Sequence, residues 1–446
     1  ADIALTEIPT LERMLVIGGN PRHEQPMLNH WFRKAALAGA QFRVLHCETL
    51  DLNYPVAGQT LVSPEQLPAA VAAIVRECLR SVQVMPPAWL VAMAGRDLPE
   101  GLDAAWVREL HGPGAAIHLG ALVNAHPDGG RIRAALRLLS EANGVRLIWT
   151  SDGPNGVGGR LAGALPHSQA LQGSTSNRRR PGLNARQMIE RPRRGYLLLG
   201  IDPEHDTWDA AATRTALEAA DCVVALTAWR NPVLDRVASV LLPVGAFSES
   251  SGTYVSMEGV WQSFPGIAAP PGDARPVWRV LRVLGNLLGL EGFEYEDREQ
   301  ITRAVQPASA AGSPAGNAQP LPSVDSTGRS TPVEQEDGVL AWRVGVPGLY
   351  GVDPLVRRAE SLQAGSHALD AAVARIGPEL ADRLGVVSGD RVRIRQGGQS
   401  VSVPVRVAGV ADGTVILASG TGPGSGLGPL VGPVRLAADP GSPAAH

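Results

Sequence analysis

Residues 14–46 read MLVIGGNPRHEQPMLNHWFRKAALAGAQFRVLH, a pattern of strand, turn, helix and strand. The first apolar run breaks at the turn Gly18-Gly19-Asn20, and apolar residues at 28, 31, 32 and 35 then recur with helical spacing. A second apolar run, FRVLH, begins at Phe42. Because α/β proteins bind phosphate groups at a glycine turn between strand and helix, the question is whether this turn holds a nucleotide or only has the shape of such a site.

The same pattern occurs a second time in the chain. LVIGGNPRHE from Leu15 matches LLLGIDPEHD from Leu197, with glycine, proline and histidine paired at one constant offset: Gly18 and Gly200, Pro21 and Pro203, His23 and His205. Helical spacing of Trp208, Ala211, Ala212 and Thr215 and the apolar run DCVVALT follow the second turn. We therefore predict a duplicated β-turn-α-β unit, with repeats near 14–46 and 196–227.

Short apolar runs alternate with helix-like segments through the rest of the first half. WLVAMAG from Trp89, AIHLG from Ala116 and VRLIWT from Val145 are predicted strands, while segments from Pro68 and Gly130 are predicted helices. This alternation indicates an α/β fold with parallel sheets. We expect two doubly wound sheets, or two halves of one, with their turns facing each other across a crevice that could clamp a ligand with two phosphate-bearing ends.

Composition restricts the class of protein. The 446 residues suggest two or three domains, and a net charge of -3 gives no bias toward nucleic acid. No run of about 18 apolar residues is present, so direct membrane insertion is not expected, and no secretory signal is apparent. Cys47, Cys78 and Cys222 form no CxxC pair and are predicted to be buried thiols in a reducing compartment. The chain begins without Met and reads like part of a longer protein.

Five blocks of sequence resemble a known family. LVIGGNPRHEQPMLNHWFRKAAL (15–37), NGVGGRLAGALP (155–166), GLNARQMIE (182–190), ASVLLPVGAFSESSGTYVSMEGVWQSF (238–264) and GVPGLYGVDPLVRRAESLQ (345–363) are similar to the molybdopterin-oxidoreductase-type region of the G subunit of NADH:quinone oxidoreductase, respiratory complex I. The resemblance covers roughly residues 10–290 and 340–437. The sequence departs from the family pattern at Ser256 and Val260, and it lacks the cysteine-rich region that carries the family's 2Fe-2S and 4Fe-4S clusters.

The resemblance implies where a cofactor would lie. In catalytic relatives, the matching turns hold a molybdopterin dinucleotide, whereas the complex I family members generally carry no molybdenum. Asp202 places a carboxylate where a phosphate would approach, and Glu24 and Asp206 add negative charge at the two helix N-termini. We therefore predict no catalytic residue, no metal and no molybdopterin, and only a vestigial dinucleotide site formed by Gly18, Gly19, Asn20, Gly200, Asp202, Gly252 and Thr253.

The last part of the chain is predicted to form a separate small domain. Residues 306–337 are rich in Ala, Ser, Pro and Gly and are predicted to be a disordered linker after an α/β region spanning residues 1–300. Residues 340–446 should contain a lead-in helix and a small β-barrel similar to the dinucleotide-binding barrel of molybdopterin enzymes. QGGQ (396–399) predicts a hairpin turn. Arg391, Arg393 and Arg395 could face an anion, but we expect the solvated side of a strand.

Two other groups of residues allow more than one interpretation. His23 and His205 occupy equivalent places in the repeat, and a metal pair is conceivable, but without HxxxH or clustered partners we expect packing in the turns. The basic residues at 178–180, with Arg191, Arg193 and Arg194, could contact a neighbouring subunit or an anionic surface; a solvated loop is the alternative.

The resemblance implies a C-terminal scaffold portion of the complex I G subunit that supports electron transfer from NADH to quinone and is inactive alone. Its partners would be other peripheral-arm subunits, and it would lie peripherally on the cytoplasmic side of the bacterial inner membrane. Two alternatives stay open. One is a molybdopterin-dependent, formate-dehydrogenase-like oxidoreductase domain, and the other is a free-standing nucleotide-binding module.

Overall fold

The computed structural model describes residues 2–95, 97–150, 153–166, 182–310, 338–420 and 422–439. These residues belong to two compact units, one made of residues 1–150 and 329–446 and the other of residues 151–328. The predicted domain bounds, residues 1–300 and 340–446, stay a prediction, while the C-terminal barrel falls in one compact unit with the first sheet. None of the described helices combines the length and apolarity needed to cross a bilayer.

The first unit contains a five-stranded, fully parallel sheet in the order β3-β2-β1-β4-β5. The strands are β1 (Arg13–Ile17), β2 (Gln41–His46), β3 (Gly58–Leu61), β4 (Ala115–Leu119) and β5 (Arg146–Trp149). The helices are α1 (Pro21–Glu24), α2 (Pro26–Leu37), α3 (Leu67–Ser81), α4 (Ala88–Met93), α5 (Ala104–Arg108), α6 (Ala121–Ala125) and α7 (Gly129–Asn143). This confirms the predicted doubly wound unit.

Both faces of the first sheet are covered, which explains why its central strands, β1 and β4, are almost continuously apolar. On one face, Met14 and Val16 pack with Leu28 and Phe32 of α2. On the other face, the alternate strand residues pack with α3 and α7 in the larger core cluster. The strand burial follows directly from this two-sided packing.

The strand predicted from Trp89 is wrong, because these residues form α4. Pro87 holds an extended backbone immediately before this helix, and only Leu90 of the segment is buried. Trp89 is 45% exposed and Val91 is 48% exposed. Burial of one side chain per turn suits a helix lying on a surface and not a central strand with both faces covered. The short strand β3 has a largely polar sequence, GQTL, and for that reason was not predicted.

The second unit contains a three-stranded parallel sheet, β6-β7-β8, and a two-stranded antiparallel hairpin, β9-β10. Its strands are β6 (Gly195–Leu199), β7 (Cys222–Thr227), β8 (Val240–Pro243), β9 (Gly252–Val255) and β10 (Trp261–Phe264). Its helices are α8 (Gly156–Leu161), α9 (Ala185–Glu190), α10 (Ala210–Glu218), α11 (Pro232–Val237), α12 (Val277–Leu287) and α13 (Arg298–Ala310). The second repeat is therefore confirmed as β-turn-α-β.

Two predicted boundaries in this unit need correction. Trp208 lies outside α10, because the carboxylate of Asp209 accepts a hydrogen bond from the Ala212 amide and caps the helix there. The predicted linker also begins too early, since residues 306–310 complete α13. The remainder of the predicted linker, residues 311–337, lies outside the described residues.

The C-terminal part of the first unit is a closed β-barrel, which confirms the predicted small barrel. It has six strands in the order β11-β15-β12-β14-β13-β16. Its strands are β11 (Val339–Val344), β12 (Ala374–Ile376), β13 (Arg391–Gln396), β14 (Gln399–Val407), β15 (Thr414–Ile416) and β16 (Val431–Ala438). Its helices are α14 (Glu360–Gln363), α15 (Ser366–Asp370) and α16 (Pro378–Leu384). The predicted lead-in from residue 340 is therefore the first barrel strand, and the short helices follow it.

The barrel is joined to the carboxyl end of β2 by backbone pairing and by an ion pair. Thr49 donates its amide hydrogen to Gly409 at 2.7 Å, and Ala411 donates to Cys47 at 2.8 Å. Glu48, in the same segment, accepts hydrogen bonds from Arg375 of β12 at 3.0 and 3.1 Å. These contacts place the barrel next to the sheet edge where β1 and β2 end.

Candidate functional site

The first candidate site is the turn that follows β1. Gly18 has φ +58°, a left-handed conformation that glycine adopts without strain, and its amide donates to Leu45 at 2.9 Å. Asn20 follows, and its carbonyl accepts the first bonds of α1 from His23 and Glu24. The turn thus has the local geometry predicted from the sequence.

The position of this turn in the sheet is where doubly wound proteins bind ligands. In the order β3-β2-β1-β4-β5, the strand order reverses between β1 and β4, and a crevice normally opens at their carboxyl ends. Here the two turns touch. A Cβ added to Gly120, which follows β4, would lie 2.0 Å from the Cα of Gly19, and Leu122 donates to the Gly18 carbonyl at 2.9 Å. The turns leave no room between Gly19 and Gly120 even for a methyl group.

A carboxylate of the chain itself accepts hydrogen bonds from the backbone amides of this crevice. Glu24 Oε1 accepts a hydrogen bond from the Asn20 amide at 2.8 Å, and Glu24 Oε2 accepts one from the Ala121 amide at 3.0 Å. One side chain thus bridges the turn after β1 and the turn after β4. A phosphate at this point would have to compete with Glu24 for the same amides and would meet its negative charge. The residues present do not fit a dinucleotide phosphate here.

His118 of β4 lies beneath the turn and restricts it further. Its imidazole is fully buried, packs edge-on against Phe32 with ring centroids 5.4 Å apart, and neither nitrogen has a hydrogen-bond partner among the described residues. Burial lowers the pKa of His118 to about 3, so the ring is neutral at physiological pH. A Cβ on Gly19 would come within 2.8 Å of this ring, so residue 19 must be glycine.

The second turn repeats the internal capping of the first. Gly200 has φ +63° and donates to Leu226 at 2.8 Å. The Asp202 amide donates to Asp206 Oδ2 at 2.8 Å, as the Asn20 amide does to Glu24. In both turns, therefore, a carboxylate four residues along the chain accepts the amide hydrogen that an anion would use.

Three potential metal ligands lie close together at the second turn. One ligand atom from each of Asp202, Glu204 and His205 lies within 4.8 Å of the others. Asp202 Oδ1 also accepts a hydrogen bond from the Glu204 amide at 3.2 Å and lies 2.9 Å from His205 Nδ1. The expected absence of a metal here stays a prediction. The equivalent His23 belongs to the other unit, where its ring contacts His367.

Gly252 and Thr253 take part in packing of the β9-β10 hairpin. Thr253 Oγ1 lies 2.9 Å from Ser263 Oγ and 3.1 Å from Thr302 Oγ1. A Cβ on Gly252 would come within 2.6 Å of the Phe264 ring.

The predicted site residues are divided between the two units, with Gly18, Gly19 and Asn20 in the first and the other four in the second. The predicted crevice between the two repeats stays a prediction.

The arginines and cysteines can be placed more definitely. Arg391 donates to Ser402, and Arg393 pairs with Asp439 at 2.7 Å, while Val392 and Ile394 point into the barrel core. The predicted solvated row is confirmed. Cys47 and Cys78 are buried, but Cys222 is exposed, so that prediction is wrong for Cys222.

The predicted basic cluster is described only in part. Residues 177–180 lie outside the described residues. Arg194 pairs with Asp221 at 2.6 Å, whereas Arg191 and Arg193 are exposed. Within the described residues, the predicted contact with a neighbouring subunit or an anionic surface therefore depends on these three arginines, and it stays a prediction.

The turn after β4 contributes to the site in a way that local sequence patterns did not predict. The bond from Ala121 to Glu24 and the contact between Gly120 and Gly19 both join two turns far apart in sequence. The available signal was Gly120 at the end of the predicted strand AIHLG, since a glycine directly after a strand can permit close backbone approach.

Comparison with known proteins gives consistent results. The chain is 28% identical over 376 residues to the G subunit of the NADH-quinone oxidoreductase of Streptomyces coelicolor, covering 77% of this chain and 42% of the relative. It is also 28% identical over 173 residues to a nitrate reductase of Synechocystis, covering 34% of this chain and 24% of that protein. The chain thus spans less than half the length of these curated relatives.

A solved structure shares the fold. Acetylene hydratase from Pelobacter acetylenicus aligns with a TM-score of 0.65 at 13% identity, covering 96% of this chain and 78% of that one. The family model for molybdopterin oxidoreductase matches residues 4–287, which include both repeats and the β9-β10 hairpin. On this evidence, the chain belongs to the molybdopterin oxidoreductase family.

Proposed function

We propose that this chain is the C-terminal scaffold portion of the G subunit of an NADH-quinone oxidoreductase. In this role it supports the electron-transferring peripheral arm, on the cytoplasmic side of the bacterial inner membrane, and holds no molybdopterin dinucleotide. Electrons would pass through iron–sulfur clusters that lie outside these residues. Similarity to a relative of that name over 77% of the chain supports this assignment.

The observation that carries the proposal is the pair of hydrogen bonds accepted by Glu24. Because its carboxylate accepts hydrogen bonds from the Asn20 amide of the turn after β1 and the Ala121 amide of the turn after β4, two backbone donors that an anion would use are already occupied. Asp206 takes the corresponding amide of the second turn. In cofactor-binding enzymes of this fold, phosphates of the cofactor would accept hydrogen bonds from these turns. In this chain, internal carboxylates accept them and hold the turns together.

The decisive experiment measures metal and pterin in the protein purified from its own host. We expect no stoichiometric molybdenum by mass spectrometry and no pterin fluorescence after acid extraction. We also expect the chain to purify with other subunits of the peripheral arm, and its deletion to reduce NADH:quinone activity of the membranes. Stoichiometric molybdenum with pterin would contradict the scaffold role.

The second candidate is a molybdopterin-dependent oxidoreductase domain. The similarity to a nitrate reductase over 173 residues favours it, but that similarity covers only 34% of the chain. The same molybdenum measurement separates the two candidates. In addition, a Glu24→Gln variant should leave the metal content unchanged if the chain is a scaffold, since no cofactor then depends on the turn.

A further inference from the structure

The sheet β6-β7-β8 of the second unit has two faces that differ in their surroundings. On one face, Leu198, Val223 and Ala225 pack with Leu217 of α10 and Leu234 of α11 to form a small core. This face is therefore an ordinary interior face of a parallel sheet.

The opposite face is apolar and largely open to solvent. Leu197 is 45% exposed, Leu199 is 43% exposed and Val240 is 45% exposed. Strand register places Leu197 beside Val224, and Val224 beside Val240, on this one surface. We call this surface the open face; it also includes Cys222, which is exposed, Leu242, which is half-buried, and Leu226, which is buried at the carboxyl end.

The strand sequences suggest that the open face is covered in the working protein. GYLLL, CVVALT and VLLP are almost continuously apolar, a pattern typical of parallel strands buried on both faces. Contiguous exposed apolar side chains of this kind mark a contact surface. Because parallel sheets are covered by helices, the expected occupant is a helix with an apolar stripe.

The charge at one border of the open face indicates which charged residues the covering helix should have. Arg191, Arg193 and Arg194 lie immediately before β6, at the amino end of the sheet. Arg194 pairs with Asp221 but its side chain is 94% exposed. Arg191 and Arg193 have no ion-pair partner among the described residues. A covering helix with acidic residues at this end would complement them.

We propose that the open face binds an amphipathic helix of a partner subunit, with its apolar stripe on Leu197, Leu199 and Val240 and its acidic end over Arg191 and Arg193. The proposal rests on the proposed function, which places the chain among other subunits. A second copy of the chain is a poorer occupant, because the border of its own open face carries the same arginines, which cannot complement Arg191 and Arg193.

Cys222 provides a direct probe of this surface. Its neighbours in register show that it lies on the open face, next to Gly195 of β6. The other two thiols are buried, and burial raises the pKa of Cys78 to about 12 and that of Cys47 well above its usual range, so neither reacts readily with maleimide. Maleimide labelling of the full chain therefore reports on the open face.

The test adds synthetic 18-residue amphipathic peptides to the full chain and follows labelling of Cys222. One peptide carries glutamates at one end of its leucine stripe, and its control carries lysines there. We expect the free chain to label at one thiol and the glutamate peptide, at ten times its Kd, to slow labelling about tenfold. The lysine peptide should protect much less.

Matched variants separate the apolar contact from the charge contact. Leu197→Asp should abolish protection by the glutamate peptide, whereas Ile267→Asp, at a site 87% exposed in the same unit, should not. The double change Arg191→Glu with Arg193→Glu should transfer the preference to the lysine peptide.

Three outcomes would overturn the proposal. Cys222 that is unreactive in the free chain would show that the chain covers this face itself. Protection that rises with protein concentration alone and disappears in Leu197→Asp would identify a second copy as occupant. Equal protection by both peptides would remove the role of the arginines. Each of these can occur without molybdenum in the protein, so failure here is distinct from failure of the proposed function.

Discussion

Single residues decide whether the glycine turn after β1 can hold an anion. Glu24 is the clearest case, because a carboxylate in a helix-forming segment could equally have faced solvent and only stabilised the helix dipole. Its two oxygens instead accept bonds from two turns, and Ala121 lies 97 residues away along the chain. The internal carboxylate bridges the two turns and occupies two backbone donors that a bound phosphate would use.

The first prediction concerns Glu24→Gln. The amide oxygen of glutamine can still accept one bond, but its NH2 group then faces an amide donor, so one buried backbone amide loses its partner. We expect the free energy of unfolding of the first unit to fall by about 1.5–3 kcal/mol. Hydrogen exchange should accelerate at the Asn20 and Ala121 amides. Glu65→Gln, an exposed control on the same unit, should change neither quantity.

The second prediction concerns pH and His118. Burial lowers the pKa of the folded-state imidazole to about 3, while an unfolded chain has a histidine pKa of about 6.5. The unfolded state therefore binds more protons at acid pH. The contribution of neutral His118 is complete above pH 6.5 and is lost as pH falls toward 3, by roughly 5 kcal/mol at the limit, from 1.36 kcal/mol per pKa unit.

Urea unfolding between pH 7 and pH 5 tests this assignment. His118→Leu should flatten the pH dependence of the unfolding free energy, though only partly, because burial also lowers the pKa of His46 and His126. His111→Leu, which replaces an exposed histidine in the same unit, serves as the control for the substitution itself. An unchanged slope in His118→Leu would show that this ring is not buried in its neutral form.

At the scale of single elements, strand β11 carries an unusual charge into the barrel. Arg343 lies on the same side of the strand as Ala341, is fully buried, and donates to Gln396, Ser419 and the carbonyls of Leu417, Gly424 and Gly428. Burial lowers the pKa of its guanidinium to about 10, so the group stays charged at physiological pH. Its bonds hold parts of the glycine-rich segment between β15 and β16 against β11.

The third prediction therefore concerns Arg343→Met, which removes the charge while keeping a flexible side chain of comparable length. The loop carbonyls and the Ser419 hydroxyl would lose their donor, and because each buried acceptor left unpaired costs about 1–3 kcal/mol, we expect the barrel to be destabilised by about 3–5 kcal/mol in total. Hydrogen exchange should increase over residues 417–428. The matched change Arg395→Met, on the outer side of β13, should cost less than about 0.5 kcal/mol. Equal costs for the two variants would contradict a clamping role for Arg343.

At the scale of the whole molecule, the chain's ends belong to one unit and its middle to the other. The barrel joins the first sheet through residues 47–49, so unfolding of the sheet and of the barrel should be coupled. The Glu48–Arg375 ion pair is the polar part of this junction, with side chains only 19% and 26% exposed.

The fourth prediction uses this ion pair. Glu48→Gln leaves Arg375 half-buried without its counter-charge, and we expect a loss of about 1–3 kcal/mol, below the cost for a fully buried pair. Hydrogen exchange should rise together at residues 46–49, 374–376 and 408–411. Asp370→Asn, which alters an ion pair exposed to solvent on the barrel, should cost less than about 1 kcal/mol. A rise confined to one side of the junction would contradict the coupling.

The sequence by itself determined most of the elements and their kind. Period-two and helical spacing, the paired glycine turns and the QGGQ hairpin are local signals, so β1, β2, β7 and the barrel hairpin β13-β14 follow from them directly. Local patterns failed at Trp89, where apolar content imitates a strand, and at Cys222, where a continuously apolar strand does not reveal which of its faces is covered. In both cases burial, which is a property of neighbours distant in sequence, decided the outcome.

Only the tertiary structure decided whether the turns are open. The sequence of residues 18–24 is compatible both with a Glu24 that points to solvent and with one that bridges two turns. Nothing in that segment predicts that Gly120 will contact Gly19. The same is true of the open face. The alternation of side chains along each strand shows which residues share a face, but it does not show what covers that face. The physical reason is that site chemistry here depends on contacts between turns and between sheet faces, which the chain brings together only when it packs.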